Sequence, residues 1–270
     1  MAGVSTAKIG SRTVHPIGIG TWTMGDDVAG DDAACIDAVR SSLSRGQNHI
    51  DTAEMYAAGR AEEIVGSALR DRDRESVFVA SKLWRTSCTR ERVRPAVEAM
   101  LTRLQLSRLD LLYIHADWDN LAVQETVEAM CDAVDAGLVA ALGLSNFQLD
   151  HLQAAMRMSR HPFVALQNRY NVLAKSDVSP ALLDFCREHH ITVVAYQPVE
   201  RGLVLRDPTV RRIADAHGVT PAQVAIAWLL RQEGVITIPK AVVPEHIEEN
   251  LSAHGIVLND DEVRALDAIT

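Results

Sequence analysis

The stretch VFVASKL, residues 77–83, decides the fold. It is an almost unbroken apolar run rich in β-branched residues, whereas a strand with one solvated face alternates apolar and polar residues. A strand with this pattern is covered on both faces, as in a parallel sheet. Near its end the run carries a charged residue, Lys82, and polar residues close other apolar runs of the chain in the same way.

Seven more apolar runs alternate with amphipathic segments, several of which follow helix start signals. Those signals are the acidic pair at 31–32, Thr89, and Thr220 followed by Pro221 at a first helical position. The alternation predicts an α/β fold, a (β/α)8 TIM barrel with a parallel eight-stranded barrel and outer helices, as one domain over residues 1–270. The predicted strands are 16–22, 48–53, 77–83, 109–116, 139–146, 163–170, 191–197 and 235–240, and the predicted helices are 32–45, 61–70, 90–105, 121–136, 148–158, 178–189 and 221–232.

An open, doubly wound sheet is the competing fold for such an alternation. Its nucleotide-binding fingerprint is Gly-x-Gly-x-x-Gly at the opening of a helix. The stretch GIGTWTMG (18–25) offers Gly18 and Gly20, but Thr23 stands where the third glycine belongs and no helix start follows. The sequence therefore favours the barrel.

Composition limits the classes of partner. With 47% hydrophobic and 23% charged residues the chain has an ordinary globular composition, and its formal charge of −9 argues against nucleic acid. No apolar run has the length of a signal peptide or a membrane span, so we expect no membrane association and a cytoplasmic location. No cluster has metal-ligand spacing, so we predict no metal. Four widely spaced cysteines are expected to be small buried hydrophobic residues: Cys35, Cys88, Cys131 and Cys186.

Polar or aromatic residues stand at the carboxyl ends of all eight predicted strands, where barrel enzymes build their active sites. Taken singly, each has an ordinary structural explanation: an acid can cap a turn, a lysine can reach to solvent, and a histidine can be satisfied within the core. Eight in register are hard to explain by packing alone. They are Trp22, Asp51, Lys82, His115, the pair Ser145 and Asn146, Gln167, Tyr196 and Lys240.

Strands two, three and four are neighbours in the predicted barrel, so their ends bring three of these side chains together beneath a tyrosine in the loop HIDTAEMY (49–56). A carboxylate holds an ammonium charged and in place, and we expect that ammonium to lower the pKa of the phenol. A histidine at the same mouth orients a substrate oxygen. The set predicts a proton-donating site aimed at a carbonyl oxygen. We call it the tetrad: Asp51, Tyr56, Lys82 and His115.

Eight motifs in order resemble those of the aldo-keto reductases, NAD(P)H-dependent barrel enzymes, in a short form of the microbial type. They cover almost the whole chain: GIGTW, DTAEMY, VASKLW, DLLYIH, GLSNF, LQNRYN, VVAYQP and IPKAVVPEHIEEN. The resemblance implies reversible reduction of aldehydes and ketones to alcohols, with the tetrad as catalytic residues. Tyr56 would be the general acid for reduction and the general base for oxidation.

The resemblance also implies where the nicotinamide cofactor binds. Ser145, Asn146 and Gln167 would bind the carboxamide, Tyr196 would stack on the ring, and QPVERG (197–202) would wrap the pyrophosphate. The full set of implied cofactor residues is Thr21, Trp22, Ser145, Asn146, Gln167, Tyr196, Gln197, Pro198, Val199, Arg201, Gly202, Ile238, Lys240, Ala241, His246, Glu249 and Asn250. The implied substrate residues are Trp22, Trp84 and Trp118.

The chain departs from the family pattern at the cofactor's adenosine end. Where members that prefer NADPH carry a serine or threonine and then an arginine, this chain has Ala241 and His246, while Lys240 remains. A mostly neutral histidine replaces a planar, charged fork that can pair a phosphate bidentately. We therefore expect use of both NADPH and NADH.

Two further departures concern the substrate. The family's Trp-Pro after the histidine is replaced by Ala116-Asp117-Trp118, which reshapes the pocket wall. The chain ends soon after DDEV (260–263), which leaves too little for a loop over the substrate. We expect a shallow, open pocket with broad acceptance of aldehydes and ketones.

Two other functions compete with the reductase. One is a non-catalytic barrel that binds nicotinamide and senses redox state for a partner, which the intact tetrad argues against. The other is an aldolase that uses Lys82 as a Schiff-base nucleophile, which Asp51 opposes by keeping the amine charged. We expect a small-molecule carbonyl substrate and, from family precedent, a monomer.

Overall fold

The computed structural model describes residues 6–26, 31–115 and 123–269. Each of the eight predicted strands and seven predicted helices has a counterpart, with ends that differ by a few residues. The strands are β1 Ala7–Ile9, β2 Arg12–Val14, β3 Ile19–Gly20, β4 His49–Asp51, β5 Phe78–Leu83, β6 Leu111–Ile114, β7 Leu142–Ser145, β8 Phe163–Arg169, β9 Thr192–Tyr196 and β10 Val235–Thr237. The helices are α1 Asp32–Ser44, α2 Arg60–Leu69, α3 Arg90–Leu104, α4 Val123–Asp135, α5 Leu149–Met158, α6 Pro180–Glu188, α7 Pro208–His217, α8 Pro221–Arg231, α9 Pro244–Ser252 and α10 Asp260–Asp267.

Strands β3 to β10 form one parallel sheet in sequence order, and the sheet curls until its two edges meet. Ile17 pairs with Thr237, and the Gly18 amide donates to the Thr237 carbonyl at 2.7 Å. A Cβ atom on Gly20 would lie 2.4 Å from the main-chain oxygen of Ile238, so only glycine fits this seam. The predicted barrel is confirmed, and the GIG motif closes it.

A two-stranded hairpin that the sequence analysis did not predict covers the amino-terminal end of the barrel. Strands β1 and β2 pair antiparallel, and Gly10 takes a positive φ of 56° in the turn between them. Ile9 and Val14 are buried in one cluster with barrel residues such as Leu111. The hairpin escaped prediction because three-residue strands carry too little hydrophobic pattern.

Two of the three predicted helix starts are built as expected. The Asp31 side chain accepts from the Ala34 amide at 2.7 Å, and Thr220 forms a reciprocal capping box with Gln223. Thr89 stands at the N-cap position of α3, so this helix also starts where predicted, although the Thr89 side chain makes no capping hydrogen bond.

Helices α7, α9 and α10 were not predicted, although two of them carry the same kind of signal. Asp207 caps α7 ahead of Pro208, and Asn259 forms a capping box with Glu262 at the start of α10. Across the described residues, none of the helices is long and apolar enough to cross a membrane.

Candidate active site

Three members of the tetrad, Asp51, Lys82 and His115, lie at the same end of the barrel. Asp51 is the last residue of β4, Lys82 is the penultimate residue of β5, and His115 directly follows β6. In the register of the sheet, Asp51 lies opposite Ala80 and Lys82 opposite Tyr113. Because parallel strands end on the same side, their side chains converge at the carboxyl-terminal mouth.

Lys82 is the centre of the site. Its side chain is completely buried, and its ammonium lies 2.5 Å from Asp51 Oδ1, 2.8 Å from the Thr52 carbonyl and 3.3 Å from the Tyr56 hydroxyl. Burial alone would lower the pKa of Lys82, but the charge of Asp51 and the neighbouring Tyr56 outweigh it, so the pKa is raised. The amine is therefore held as an ammonium ion.

The pKa of Tyr56 moves against our expectation. Burial of the phenol raises its pKa, and the nearby Lys82 ammonium opposes that rise without reversing it, while Asp51 adds to it. The expected lowering is wrong because it counted the neighbouring charge and left out the desolvation of the phenolate. At neutral pH the side chain keeps its proton and can donate it.

A tight turn holds Tyr56 over the strand ends. Tyr56–Gly59 forms a 3-10 turn in which Ala57 and Ala58 take positive φ values of 46° and 55°, and Gly59 follows at 95°. Such values are uncommon for residues with a side chain and cost of the order of 1–3 kcal/mol each. The backbone is thus bent back between β4 and α2 at the point that places the phenol.

The ring of His115 contacts the rings of Tyr56 and Trp84. Its ring centroid lies 5.7 Å from that of Tyr56 and 5.3 Å from that of Trp84, both nearly edge-on. Burial, with a smaller effect from the Lys82 charge, lowers the pKa of His115 to about 3. Its buried Nδ1 has no hydrogen-bond partner among the described residues. The imidazole is therefore neutral.

The four residues assigned to the nicotinamide form a network that joins the tetrad. The Asn146 side-chain amide donates to the His115 carbonyl at 3.0 Å and to Ser145 Oγ at 3.2 Å, and it accepts from the Tyr196 hydroxyl at 2.7 Å. Gln167 Nε2 donates to Asp51 Oδ2 at 2.7 Å. Residues from β7, β8 and β9 are thus bonded to the strands that carry the tetrad.

The segment 197–202, assigned to the pyrophosphate and containing Pro198 and Val199, has an unusual backbone. Gln197, Glu200, Arg201 and Gly202 all take positive φ values, between 46° and 90°. Asn171 holds the segment, because its side-chain amide donates to the Gln197 carbonyl at 2.9 Å and to Glu200 Oε2 at 2.6 Å.

Two loops meet above the barrel through a cation–π contact. The Arg201 guanidinium carbon lies 4.8 Å from the ring centroid of Trp22. Trp22 remains 42% exposed, and its neighbour Thr21 is buried, with a hydroxyl that donates to the Asp51 carbonyl at 3.0 Å. The loops after β3 and β9 therefore approach each other across the mouth.

The segment assigned to the adenosine follows β10. Ile238 is buried, whereas Lys240 is exposed and Ala241 is half-buried. His246 is exposed in the first turn of α9. Both replacements that the sequence singled out are therefore reachable by a ligand.

The two residues assigned to adenine behave differently from each other. Glu249 accepts a 2.5 Å hydrogen bond from Thr220 Oγ1, which ties α9 to the start of α8. Asn250 lines a small cavity of about 10 Å³ together with Ala241. Glu249 thus has a structural partner that the sequence did not reveal.

Two of the three tryptophans assigned to the substrate lie at the mouth. Trp84 is half-buried beside His115, and its main-chain amide donates to the Glu54 carboxylate. Trp118 lies outside the described residues, as does the altered stretch that begins at Ala116.

Sequence reasoning missed the residues that brace the site. Thr52 supplies a carbonyl to Lys82, Glu54 anchors Trp84, and Asn171 and Arg169 both bind Glu200. Glu54 lies between Asp51 and Tyr56 in the chain, so its position could have suggested a role. The others act through contacts between strands or loops, for which a single sequence carries no local signal.

A second concavity lies at the opposite end of the barrel. It has a volume of about 950 Å³ and is lined partly by Lys8, Arg187 and Arg231, with no tetrad residue. The part of the chain that the structure describes contains no group of three or more side chains suited to hold a metal ion. The chemistry described above is therefore that of the carboxyl-terminal mouth.

Comparison with known proteins gives concordant results. Residues 16–270 match the model of the aldo/keto reductase family. The chain is 33% identical over 264 residues to methylglyoxal reductase YeaE of Escherichia coli K12, covering 96% of this chain and 92% of that protein. It superposes with a TM-score of 0.93 and 35% identity on the thermostable aldo-keto reductase Tm1743 in complex with the inhibitor epalrestat, over 98% and 99% of the two chains. A Klebsiella pneumoniae aldo-keto reductase in complex with NADPH superposes with a TM-score of 0.90 and is 33% identical, over 99% of this chain and 95% of that chain.

Proposed function

The chain belongs to the aldo/keto reductase family, and on that premise we propose that the tetrad is its catalytic centre. The protein is an NADPH-dependent reductase of carbonyl compounds. The observation that carries the assignment is the buried Lys82 ammonium, which contacts both Asp51 and Tyr56. A charged, fully buried lysine between an acid and a phenol is costly for stability and fits a site that must stabilise a phenolate.

NADPH, when bound, would provide the hydride needed to reduce a carbonyl carbon. Tyr56, whose raised pKa keeps the phenol protonated, donates its proton to the carbonyl oxygen. Lys82, 3.3 Å from that hydroxyl, stabilises the phenolate that remains, and Asp51 holds Lys82 in position. Solvent returns the proton to Tyr56 after the alcohol leaves.

His115 binds the same oxygen without competing for the proton. With a pKa of about 3 the ring is neutral at working pH, so it can donate one N–H hydrogen bond but does not act as an acid. The edge-on contacts of its ring with Tyr56 and Trp84 fix the orientation of His115. The carbonyl oxygen would thus receive two donors, the phenol and the imidazole.

The residues at the other strand ends suit a nicotinamide cofactor. Ser145, Asn146 and Gln167 lie beside the tetrad and have the amide and hydroxyl groups that a carboxamide needs, and Tyr196 provides a ring. The positive φ values at 197–202 give a backbone that bends sharply enough to enclose a pyrophosphate. The exposed Lys240 would meet a 2′-phosphate.

We also propose that the enzyme uses NADH alongside NADPH. An arginine at position 246 would add a charged hydrogen bond of about 1.5–3 kcal/mol to the 2′-phosphate, and His246 lacks it. Ala241 offers no hydroxyl. The remaining exposed charge, Lys240, favours NADPH to a smaller extent.

We infer a broad specificity for small aldehydes and ketones. The name of YeaE, a methylglyoxal reductase, supports small activated carbonyl compounds as substrates. The exposed Trp22 and half-buried Trp84 give the mouth an apolar wall suited to small carbonyl compounds. We further propose one domain, a monomeric state and a cytoplasmic location, the last from four buried free cysteines.

The test replaces Tyr56 by phenylalanine, which keeps the ring and removes the acid. Absorbance at the nicotinamide band is followed with methylglyoxal and an aromatic aldehyde, with NADPH as cofactor. We expect Tyr56→Phe to lose about 10²–10⁴-fold in kcat, the usual contribution of a general acid. The control is Tyr170→Phe, which changes a buried tyrosine whose ring packs on Trp228 and not on a tetrad residue.

Two results would contradict the proposal. Equal kcat for wild type and Tyr56→Phe would remove Tyr56 as the proton donor. A wild type that binds NADPH but reduces no carbonyl compound in a broad panel would support a sensing role for the barrel instead.

A further inference from the structure

Gln167 reaches Asp51 from the far side of the barrel. Asp51 is on β4 and Gln167 on β8, four strands apart in a closed barrel of eight, so they face each other across the interior. Their side chains are 1% and 2% exposed and meet at 2.7 Å, although 116 residues separate them in sequence. A glutamine is long enough for this span.

The contact completes the hydrogen bonding of the buried carboxylate. Lys82 donates to Oδ1 at 2.5 Å and Gln167 to Oδ2 at 2.7 Å. A carboxylate bound at one oxygen can rotate about its last bond, whereas one bound at both is fixed in plane and angle. Since Asp51 is what holds Lys82 under Tyr56, the orientation of the proton donor depends on Gln167.

The acceptor also settles how the Gln167 amide is turned. An ionised carboxylate only accepts, so the amide must present its NH2 group to Asp51. One further N–H and the carbonyl oxygen remain to bind a carboxamide, so the same rigid amide can serve both partners at once.

The main chain of Gln167 connects to the remaining nicotinamide residues. Its carbonyl accepts from the Asn146 amide at 3.0 Å, and it lies opposite Ser145 in the register of β7 and β8. Asn146 bonds through its side chain to Ser145, to Tyr196 and to the His115 carbonyl, and within the described residues no hydrogen bond joins it or Ser145 to Asp51. Gln167 therefore joins the nicotinamide residues to Asp51, whereas Asn146 joins them to the His115 main chain.

We propose that Gln167 is a positioning residue of the proton-donating centre, which links occupancy of the nicotinamide pocket to the geometry of Asp51, Lys82 and Tyr56. This rests on the proposed function, in which the same amide binds the carboxamide. A hydrogen bond to the carboxamide polarises the Gln167 amide, and this changes the strength of the hydrogen bond that the amide donates to Asp51. By linkage, the factor by which cofactor binding changes the proton affinity of Asp51 equals the factor by which protonation of Asp51 changes cofactor affinity.

The test compares three variants. Gln167→Met keeps the length and removes the donor, and Gln167→Glu keeps the shape and places a second acid against Asp51. Ser145→Ala is the matched control, because it also removes a proposed carboxamide contact but lies outside the Asp51 network. Measurements are NADPH affinity, kcat at saturating NADPH, and the pH profile of kcat.

We expect Gln167→Met to lower kcat by about ten- to hundredfold at saturating NADPH, the range for losing one hydrogen bond to a buried charge. In Gln167→Glu two carboxyl groups in contact must share a proton, so kcat should gain an ionisation limb that the wild type lacks. Ser145→Ala should weaken NADPH binding and leave the pH profile unmoved.

A second measurement needs neither cofactor nor turnover. The chain has four tyrosines, so 13Cζ-tyrosine spectra are simple to assign, with Tyr56→Phe identifying the Tyr56 signal. We expect the Tyr56 shift to differ from wild type in both Gln167 variants and to be unchanged in Ser145→Ala. This arm decides whether Gln167 positions Tyr56 even if the wild type reduces no carbonyl compound, and Gln167→Glu decides it if Gln167→Met does not fold.

The inference is overturned if Gln167 acts only as a cofactor ligand. In that case both Gln167 variants would change NADPH affinity alone, as Ser145→Ala does. Their kcat at saturation, pH profiles and Tyr56 signals would then match the wild type.

Discussion

At the scale of single residues, Lys82 shows how a buried charge is accommodated. Its ammonium has three partners, Asp51, the Thr52 carbonyl and Tyr56, which matches the three donors that an ammonium carries. An unpaired charge at full burial would lose its proton, but here the pKa of Lys82 is raised. A lysine held charged is a poor nucleophile, so the arrangement disfavours the Schiff-base alternative.

Cofactor preference is also decided by single side chains. We predict that His246→Arg increases the preference for NADPH over NADH about tenfold, because it adds a charged fork beside the 2′-phosphate. The measurement is kcat/KM with each cofactor at one fixed carbonyl substrate. His246→Gln is the control, since it is uncharged and should leave the ratio near that of wild type.

A strong NADPH preference in the wild type would show the dual-use proposal to be wrong. An unchanged ratio in His246→Arg would show that position 246 does not reach the phosphate.

At the scale of secondary-structure elements, a buried acid ties two helices to the barrel. Glu62 on α2 is completely buried and accepts from Ser81 Oγ on β5 at 2.5 Å and from Arg103 Nε on α3 at 2.6 Å. Burial raises the pKa of Glu62, and Ser81 and Arg103 oppose the rise. The contact fixes α2, whose first residue directly follows the Tyr56–Gly59 turn.

Removal of Arg103 should therefore be costly. We predict that Arg103→Leu lowers the free energy of unfolding by about 3 kcal/mol, since it leaves Glu62 buried without its cation. The control is Arg94→Leu, which removes the exposed pair with Glu98 and should change stability by less than about 1 kcal/mol. Urea unfolding of the three proteins measures both, and equal losses in the two variants would contradict the assignment.

At the scale of the whole molecule, the barrel interior contains a histidine that cannot easily be protonated. His49 on β4 is fully buried, and neither ring nitrogen has a hydrogen-bond partner among the described residues. Burial lowers the pKa of His49 to about 4, with Asp51 opposing and Lys82 adding to the shift. Gly18 leaves the room for this ring, because a Cβ there would lie 2.7 Å from His49 Nδ1.

This histidine makes the fold sensitive to acid. Its pKa is about 4 when folded and about 6.5 when unfolded, so between these values the unfolded chain binds more protons. Stability is therefore complete above about pH 6.5 and falls as the pH drops towards 4. The linkage amounts to about 3 kcal/mol, at 1.36 kcal/mol per unit of pKa.

The prediction is tested by urea unfolding at pH 7.5 and pH 4.5. We expect His49→Leu to lose less stability than wild type over this interval, because it has no proton to bind. The exposed His151→Gln serves as the control and should keep the wild-type loss. An identical loss in wild type and His49→Leu would show that other groups cause the acid sensitivity.

The sequence by itself determined the barrel fold and which side chains stand at the carboxyl ends of its strands. Unbroken apolar strands between amphipathic helices allow few folds, because each strand must be buried on both faces and each helix on one. Strand order then follows chain order, so the residues at the strand ends converge whatever the details of packing. Asp51, Lys82 and His115 could be placed together for this reason.

Only the tertiary structure decided how those residues behave. The raised pKa of Tyr56 and the low pKa of His115 depend on how much water the folded chain excludes, which no spacing of residues reports. The contact between Gln167 and Asp51 joins positions 116 residues apart on opposite sides of the barrel. The local chain carries no trace of either effect, because desolvation and cross-barrel distance exist only once the sheet has closed.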